Sequence, residues 1–209
     1  MVTKEQILQW LQMFATEIEQ NKDYLTELDA AIGDADHGIN MDRGFKKVIS
    51  QLPTVADKDI GSILKTVSMT LISSVGGASG PLYGTLFLRA STAVTGKQEL
   101  NEQDMLGLLQ AGLDGVLARG KAQLGDKTMV DVLYPAVTAF QQAVDEGNST
   151  LQAMQRALAA AEQGMKDTTP MIAKKGRASY LGERSVGHQD PGATSSYLML
   201  NSLLQVLDS

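Results

Sequence analysis

The chain has 209 residues, 43% of them hydrophobic, which suits one globular domain with a real core, although length alone also allows two small ones. A net charge of −6 without any long Lys/Arg stripe argues against nucleic acid or an anionic membrane as partner. The absence of cysteine rules out a disulfide framework and a thiolate metal site, and neither an apolar run of about 18 residues nor a signal-peptide pattern is found, so a soluble cytoplasmic protein is expected.

Hydrophobic periodicity is helical almost everywhere. Ile7, Leu11, Phe14 and Ile18 share one face of a first helix, and Thr3 with Gln6 fits a capping box at its start. Asp57 or Asp59 opens a stripe of Ile60, Ile63, Leu64, Val67 and Leu71. Met105, Leu108, Leu109, Leu113 and Val116 form another, as do Val132, Leu133, Ala136, Val137, Phe140 and Val144. Ser149 or Thr150 begins the Ala-rich "LQAMQRALAAAEQGMK", and "GATSSYLMLNSLLQVLDS" closes the chain. No alternating β-branched runs read as strands. The prediction is all-α, with roughly eight helices near 4–27, 38–50, 57–74, 81–95, 101–119, 128–146, 149–167 and 192–206.

The connectors alternate in kind. After the second, fourth and sixth helices come plain polar turns, "QLPTVADKD", "TGKQELNEQ" and "DEGNST". After the first, third, fifth and seventh come "GDADHG", "GGASGPLYG", "RGKAQLGDKT" and "KKGRASYLGERSVGHQDPGA". Short connections make successive helices antiparallel, so every second loop emerges at the same end. The four unusual loops therefore converge on one rim of an up-and-down helical array, where a rigid scaffold presents binding and chemistry.

Each loop offers specific chemistry. Asp29, Asp34 and Asp36 repel one another unless a cation sits between them, and hard Mg²⁺ takes a few carboxylates plus water and phosphate oxygens. An EF-hand fails on spacing: with Asp34 as first ligand, Ile39 stands where glycine is needed and Phe45 where glutamate is needed. Two histidines and no cysteine make zinc a poor fit. A simpler role for the aspartates is helix capping, which Asp36 alone fits. His37 and Asn40 fall at a helix N-terminus, which favours anions, and His37 is placed to donate to a phosphate oxygen. "GGASGPLYGT" lacks the Gly-Lys-Ser/Thr ending of a Walker A loop, but Gly76, Gly77 and Gly80 allow close backbone approach to a ligand and Ser79 adds a hydroxyl. Gly120 offers a helix stop and a flat surface, and Met129 is either a wall of a base pocket or an ordinary core residue. Lys174, Lys175, Arg177, Arg184 and His188 make the last loop the most basic stretch of an acidic chain, expected to form a lid over a polyphosphate.

"GDADHGINM", "SSVGGASGPLYG", "RGKAQLGDKTM", "KKGRASYLGERS" and "GHQDPGATS" together resemble the nucleotide-binding L subunits of bacterial dihydroxyacetone kinases, over essentially the whole chain. The resemblance implies a single domain over 1–209, folded as an eight-helix antiparallel barrel with the nucleotide at one rim. It implies the phosphoenolpyruvate-dependent system, in which bound ADP is rephosphorylated by a phosphotransferase-system M subunit and the γ-phosphoryl passes to dihydroxyacetone held on a K subunit. An ATP-dependent kinase with exchangeable nucleotide shares every rim motif, and an ADP-loaded rim docking on a transcriptional regulator is a non-catalytic alternative. By the same resemblance, Asp29, Asp34 and Asp36 hold two Mg²⁺ ions, and His37, Gly38, Ile39, Asn40, Ala78, Ser79, Gly120, Met129, Arg177, Asp190, Pro191 and Gly192 contact ADP or ATP.

Overall fold

A computed structural model describes residues 1–209. It is mostly helical: α1 (Lys4–Gln20), α2 (Lys22–Ile32), α3 (His37–Gln51), α4 (Ile60–Ser74), α5 (Ser79–Ala93), α6 (Glu102–Gly120), α7 (Val130–Asp145), α8 (Thr150–Asp167) and α9 (Pro191–Leu207). Two 3₁₀ segments, Leu52–Thr54 and Arg177–Ser185, lie in the connections.

Three expectations need correction. The helix predicted over 4–27 is two helices, broken at Asn21 and continuing to Ile32. Ile18 and Leu25 stay in phase across the break and both are buried, so the apolar pattern reads as one helix. The all-α reading misses a two-residue antiparallel ribbon in which β1 (Val2–Thr3) pairs Val2 with Leu100 of β2 (Glu99–Leu100). The long basic connector, placed outside the eight predicted helices, contains 3₁₀ turns over residues 177–185 with a kink at Gly182.

From α3 to α9 each helix packs against the next in sequence, and α9 returns against α1, which also packs on α3. The indole of Trp10 on α1 donates to the Met199 carbonyl of α9 (2.9 Å), and the Ser68 hydroxyl of α4 donates to the Gly84 carbonyl of α5 (2.6 Å). One continuous apolar cluster fills the interior, with Phe14 edge-on to Phe45 at 4.5 Å. Pro135 inside α7 cannot donate to the carbonyl four residues back, that of Asp131. Gly164 of α8 packs against this freed carbonyl so closely that a Cβ would not fit. No helix is long and apolar enough to cross a membrane.

Candidate functional site

The four unusual loops do meet. Residues from 29–37, 76–83, 116–130, 175–178 and 190–192 line one cavity of about 490 Å³. The N-termini of α5, α7 and α9 open into it through Ser79, Val130 and Pro191.

On one wall, Asp29, Asp34 and Asp36 each present a carboxylate oxygen within 4.8 Å of the others. Asp29 is buried on the last turn of α2, against Gly33, where a Cβ would collide with its carboxylate. Its Oδ2 accepts the backbone N–H groups of Asp36 (2.8 Å) and His37 (3.1 Å). Asp29 thus caps α3 from the preceding helix, while Asp36, the N-cap residue, makes no side-chain cap bond of its own. Ala35 between the other two adopts φ +59, a costly conformation for a residue with a Cβ. Arg177 Nη2 lies 3.0 Å from Asp34 Oδ2, which carries the 3₁₀ segment to the carboxylates. Three clustered, acceptor-only groups suit a hard divalent cation, and their spread admits one ion or two.

The ring of His37 is buried, with Nδ1 2.9 Å from Ser79 Oγ and Nε2 2.9 Å from Ser195 Oγ. Burial pulls the imidazole down to about 4, against the opposing pull of the Asp29 and Asp36 carboxylates, so it is neutral at pH 7. Ser195 Oγ donates in turn to the Gly192 carbonyl (3.1 Å) and lies 2.7 Å from the Tyr83 hydroxyl, which also meets Ser196 (3.1 Å). His37 lines the cavity, and with both nitrogens partnered by hydroxyls it also links α3, α5 and α9. Burial pushes the Tyr83 hydroxyl up to about 12, so it stays protonated within this network.

The other predicted contacts divide cleanly. Ala78, Ser79, Gly120, Met129, Arg177, Asp190, Pro191 and Gly192 line the cavity. Gly38, Ile39 and Asn40 do not. Gly38 packs against the Lys22 carbonyl and the Thr26 hydroxyl, and Ile39 is 51% exposed. Asn40 is buried beside Gly76 and accepts from Arg43 Nη2 (2.7 Å), whose Nε donates to the Ser74 carbonyl. These three follow the motif in sequence, but none lines the cavity, Asn40 meeting it only through Gly76. Asp190 caps α9 by accepting from Ala193 N (2.8 Å), and burial raises its carboxyl to about 7. Apolar lining comes from Leu82, Val116, Ala122, Met129 and Val130 among others, and Arg119 also lines the cavity. Tyr83, Ser195, Arg119 and Lys127 were not foreseen; each sits within a helical or turn stretch whose pattern carries no sign of its partners.

A model of the DAK2 domain matches residues 31–205. The chain belongs to the DAK2 domain family. The match takes in Asp34, Asp36 and all four loops, with Asp29 just ahead of it. This DAK2 chain is 51% identical over 202 residues to the ADP-binding subunit DhaL of the PEP-dependent dihydroxyacetone kinase of Escherichia coli (strain K12), covering 97% of this chain and 96% of that one. It is 42% identical to the ADP-binding subunit DhaL of the PTS-dependent dihydroxyacetone kinase of Lactococcus lactis subsp. lactis (strain IL1403), covering 99% and 100%. Among solved structures, the dihydroxyacetone kinase from C. freundii in complex with AMP-PNP and Mg²⁺ superposes with a TM-score of 0.72 at 25% identity, over 94% of this chain. The DAK2 chain corresponds to only 33% of that kinase's length.

Proposed function

We propose that this chain is the nucleotide-carrying subunit of a phosphoenolpyruvate-dependent dihydroxyacetone kinase. It holds ADP, accepts a phosphoryl group onto it from a phosphotransferase-system partner, and passes the γ-phosphoryl to dihydroxyacetone on a K subunit, giving dihydroxyacetone phosphate and restoring ADP. The observation that carries this reading is the meeting of three carboxylates with the N-termini of α5, α7 and α9 around one cavity. The starts of α5 and α7 line the cavity at Ser79 and Val130, and the start of α5 carries no side-chain cap, so its positive end is available to an anion. The higher identity to the separate DhaL subunits than to the C. freundii kinase favours the phosphoenolpyruvate-dependent class over a freely exchanging ATP-dependent one.

In this reading Asp29, Asp34 and Asp36 hold two Mg²⁺ ions, whose contribution is to neutralise charge on the transferring phosphoryl. The residues of the chain position and exclude water. Ala78, Ser79 and Asp190–Gly192 cradle the phosphates, while Gly120, Met129 and Leu82 take the base. Arg177 moves its guanidinium from Asp34 towards a phosphate, and the surrounding 174–188 segment acts as a lid that keeps water from the reacting group. His37 keeps Ser79 and Gly192 in register from beneath, with Gly38, Ile39 and Asn40 supporting α3. No side chain serves as acid or base, because the acceptor hydroxyl lies on the partner. Residues 1–209 act as one domain in the cytoplasm, and the ring of packed helices is an eight-membered antiparallel barrel in which α1 and α2 form one interrupted member.

The deciding experiment is to denature freshly purified protein and identify the released nucleotide. About one ADP per chain is expected, together with a melting temperature that falls on chelation of Mg²⁺. A ligand at 100 times its dissociation constant stabilises by about 2.7 kcal/mol. Nucleotide-free protein that turns over dihydroxyacetone with ATP would establish the exchanging kinase instead.

A further inference from the structure

Lys127 sits in the turn before α7 with only 1% of its surface exposed. Its Nζ faces five backbone carbonyls, all from one distant stretch: Thr168 (2.7 Å), Thr169 (3.4 Å) and Met171 (3.2 Å) where that stretch leaves α8, and Ser185 (2.9 Å) and His188 where it returns. We infer that Lys127 is a positioning residue whose ammonium acts as a tethered monovalent cation, filling a carbonyl cage that pins both ends of the 168–188 excursion beside the cavity.

An ammonium has three N–H donors, so five carbonyls cannot be paired one to one; what they share is the positive charge. Thr168 and Thr169 also accept from Met171 N (3.2 Å) and Gly187 N (2.8 Å), but without a cation the Met171, Ser185 and His188 carbonyls converge with nothing to receive them, which is costly in a buried place. The turn itself is built to aim the side chain inward. Lys127 adopts φ +62, and the Asp131 carboxylate brackets it by accepting from Gly125 N (2.5 Å) and Thr128 N (2.8 Å). Asp126 adds a further tie, its carbonyl accepting from Lys174 N at 3.1 Å. Burial lowers the ammonium's affinity for its proton, and the nearby Asp190 carboxyl opposes this. Between the two pinned ends lies Arg177, which reaches Asp34, and Lys175 to Ala178, which line the cavity. Occupancy of the cage therefore sets where Arg177 stands. Only the consequence for ligand retention rests on the nucleotide reading above.

Lys127→Gly vacates the cage and accepts the positive φ without strain. In a buffer whose only monovalent cation is choline, trypsin should cut this variant at Lys174, Lys175, Arg177 or Arg184 at least tenfold faster than the native chain, with the far-ultraviolet circular dichroism of the helices retained. Potassium or ammonium at tens of millimolar should restore native cleavage rates, because carbonyl oxygens replace the hydration shell of such ions, whereas lithium should not. Lys127→Met, which fills the space without charge, should be opened equally and rescued by neither, and Lys127→Arg should fail because a planar fork does not match a convergent cage. Retained ADP should dissociate at least tenfold faster wherever cleavage is fast. Native cleavage rates in Lys127→Gly under choline, or fast cleavage that potassium and ammonium leave unchanged, overturn the inference. Should the variants not fold, reductive methylation of the native chain decides: Lys127 should react only as fast as the segment becomes cleavable. Reaction at the rate of exposed lysines, with the segment still resistant, overturns it. Slow cleavage restored by potassium in protein that carries no nucleotide leaves the cage standing and removes only the nucleotide reading.

Discussion

The two ends of the helical array begin their helices differently, with α9 the exception at the cavity, since its own N-cap residue Asp190 accepts from Ala193 N. At the end away from the cavity, α1, α4, α6 and α8 start with Thr3, Asp59, Asn101 and Ser149, each accepting the N–H three residues on. These starts are tied together locally, by Lys4 N to the Gln98 carbonyl, Gly96 N to Asp59 and the Thr150 hydroxyl to Glu102. At the cavity, α3, α5 and α7 start without a side-chain cap from their own cap residue. All three non-glycine residues with positive φ, Ala35, Lys121 and Lys127, lie in the loops at this end. One end satisfies its backbone on the spot and is built for stability. The other draws its caps for α3 and α7 from neighbouring residues, Asp29 and Thr128, and gathers carboxylates and backbone strain beside the cavity, as expected where structure is traded for function.

The largest effect that tests this contrast belongs to the carboxylates. Asp36→Asn should lower reconstituted phosphoryl transfer at least a hundredfold, equivalent to about 2.7 kcal/mol or more in the barrier, while metal-free melting changes little. A variant retaining a tenth of native turnover removes Asp36 from the ligand set. Next comes Asp190, whose carboxyl is raised by burial from 3.8 to about 7. Below pH 4 the folded and unfolded chains both hold its proton. Between pH 4 and 7 the unfolded chain releases it and the folded chain does not, so this residue costs stability as pH rises, on the order of 4 kcal/mol in all. Asp190→Asn keeps the cap and removes the titration, so it should gain on the native chain as pH rises through that window. Urea unfolding of both chains at pH 4.5 and 7.5 measures the gain, and an unchanging difference refutes the buried carboxyl's cost.

What could be read in advance follows the same division. The capping box of Thr3 with Gln6 is local in sequence and stands in the structure as spaced, and the helix start at Ser149 or Thr150 is fixed by a second box of Ser149 with Gln152. The convergence of the four loops was legible because alternation along an antiparallel array is a property of order, not of contact. The break at Asn21 was hidden because no glycine or proline marks it and the apolar stripe keeps its phase. The hydrogen bonds of His37 were hidden because the motif shows the adjacent aspartates but not Ser79 and Ser195, which lie 42 and 158 residues away. Lys127 gave no signal for the same reason, its partners being 41 to 61 residues downstream.

A smaller change at the far end should leave function alone. Ser149→Ala removes one side of a capping box and should cost about 1 kcal/mol of stability, read by urea unfolding, with nucleotide retention and turnover unaltered. Lost retention would show that the two ends are coupled rather than divided.

The smallest expected effect inverts the usual sign. Ala35 holds φ +59 between Asp34 and Asp36, at a cost of about 1–2 kcal/mol for a residue with a Cβ. Glycine adopts that conformation freely but gives up more freedom on folding, about 0.5–1 kcal/mol. Ala35→Gly should therefore stabilise the metal-free chain by roughly 0.5 kcal/mol, or about 1–2 °C in melting temperature for a chain of this size. The same change loosens the link that sets the spacing of the two carboxylates, so Mg²⁺-dependent turnover should fall two- to threefold. At the opposite end, Gly96 has φ +77 with nothing within 4 Å of the position its Cβ would occupy. Gly96→Ala should destabilise by about 1 kcal/mol through backbone strain alone, with turnover unchanged. If Ala35→Gly raised both stability and turnover, the strain at the carboxylates would have no functional return, and the contrast between the two ends would reduce to a difference in loop length.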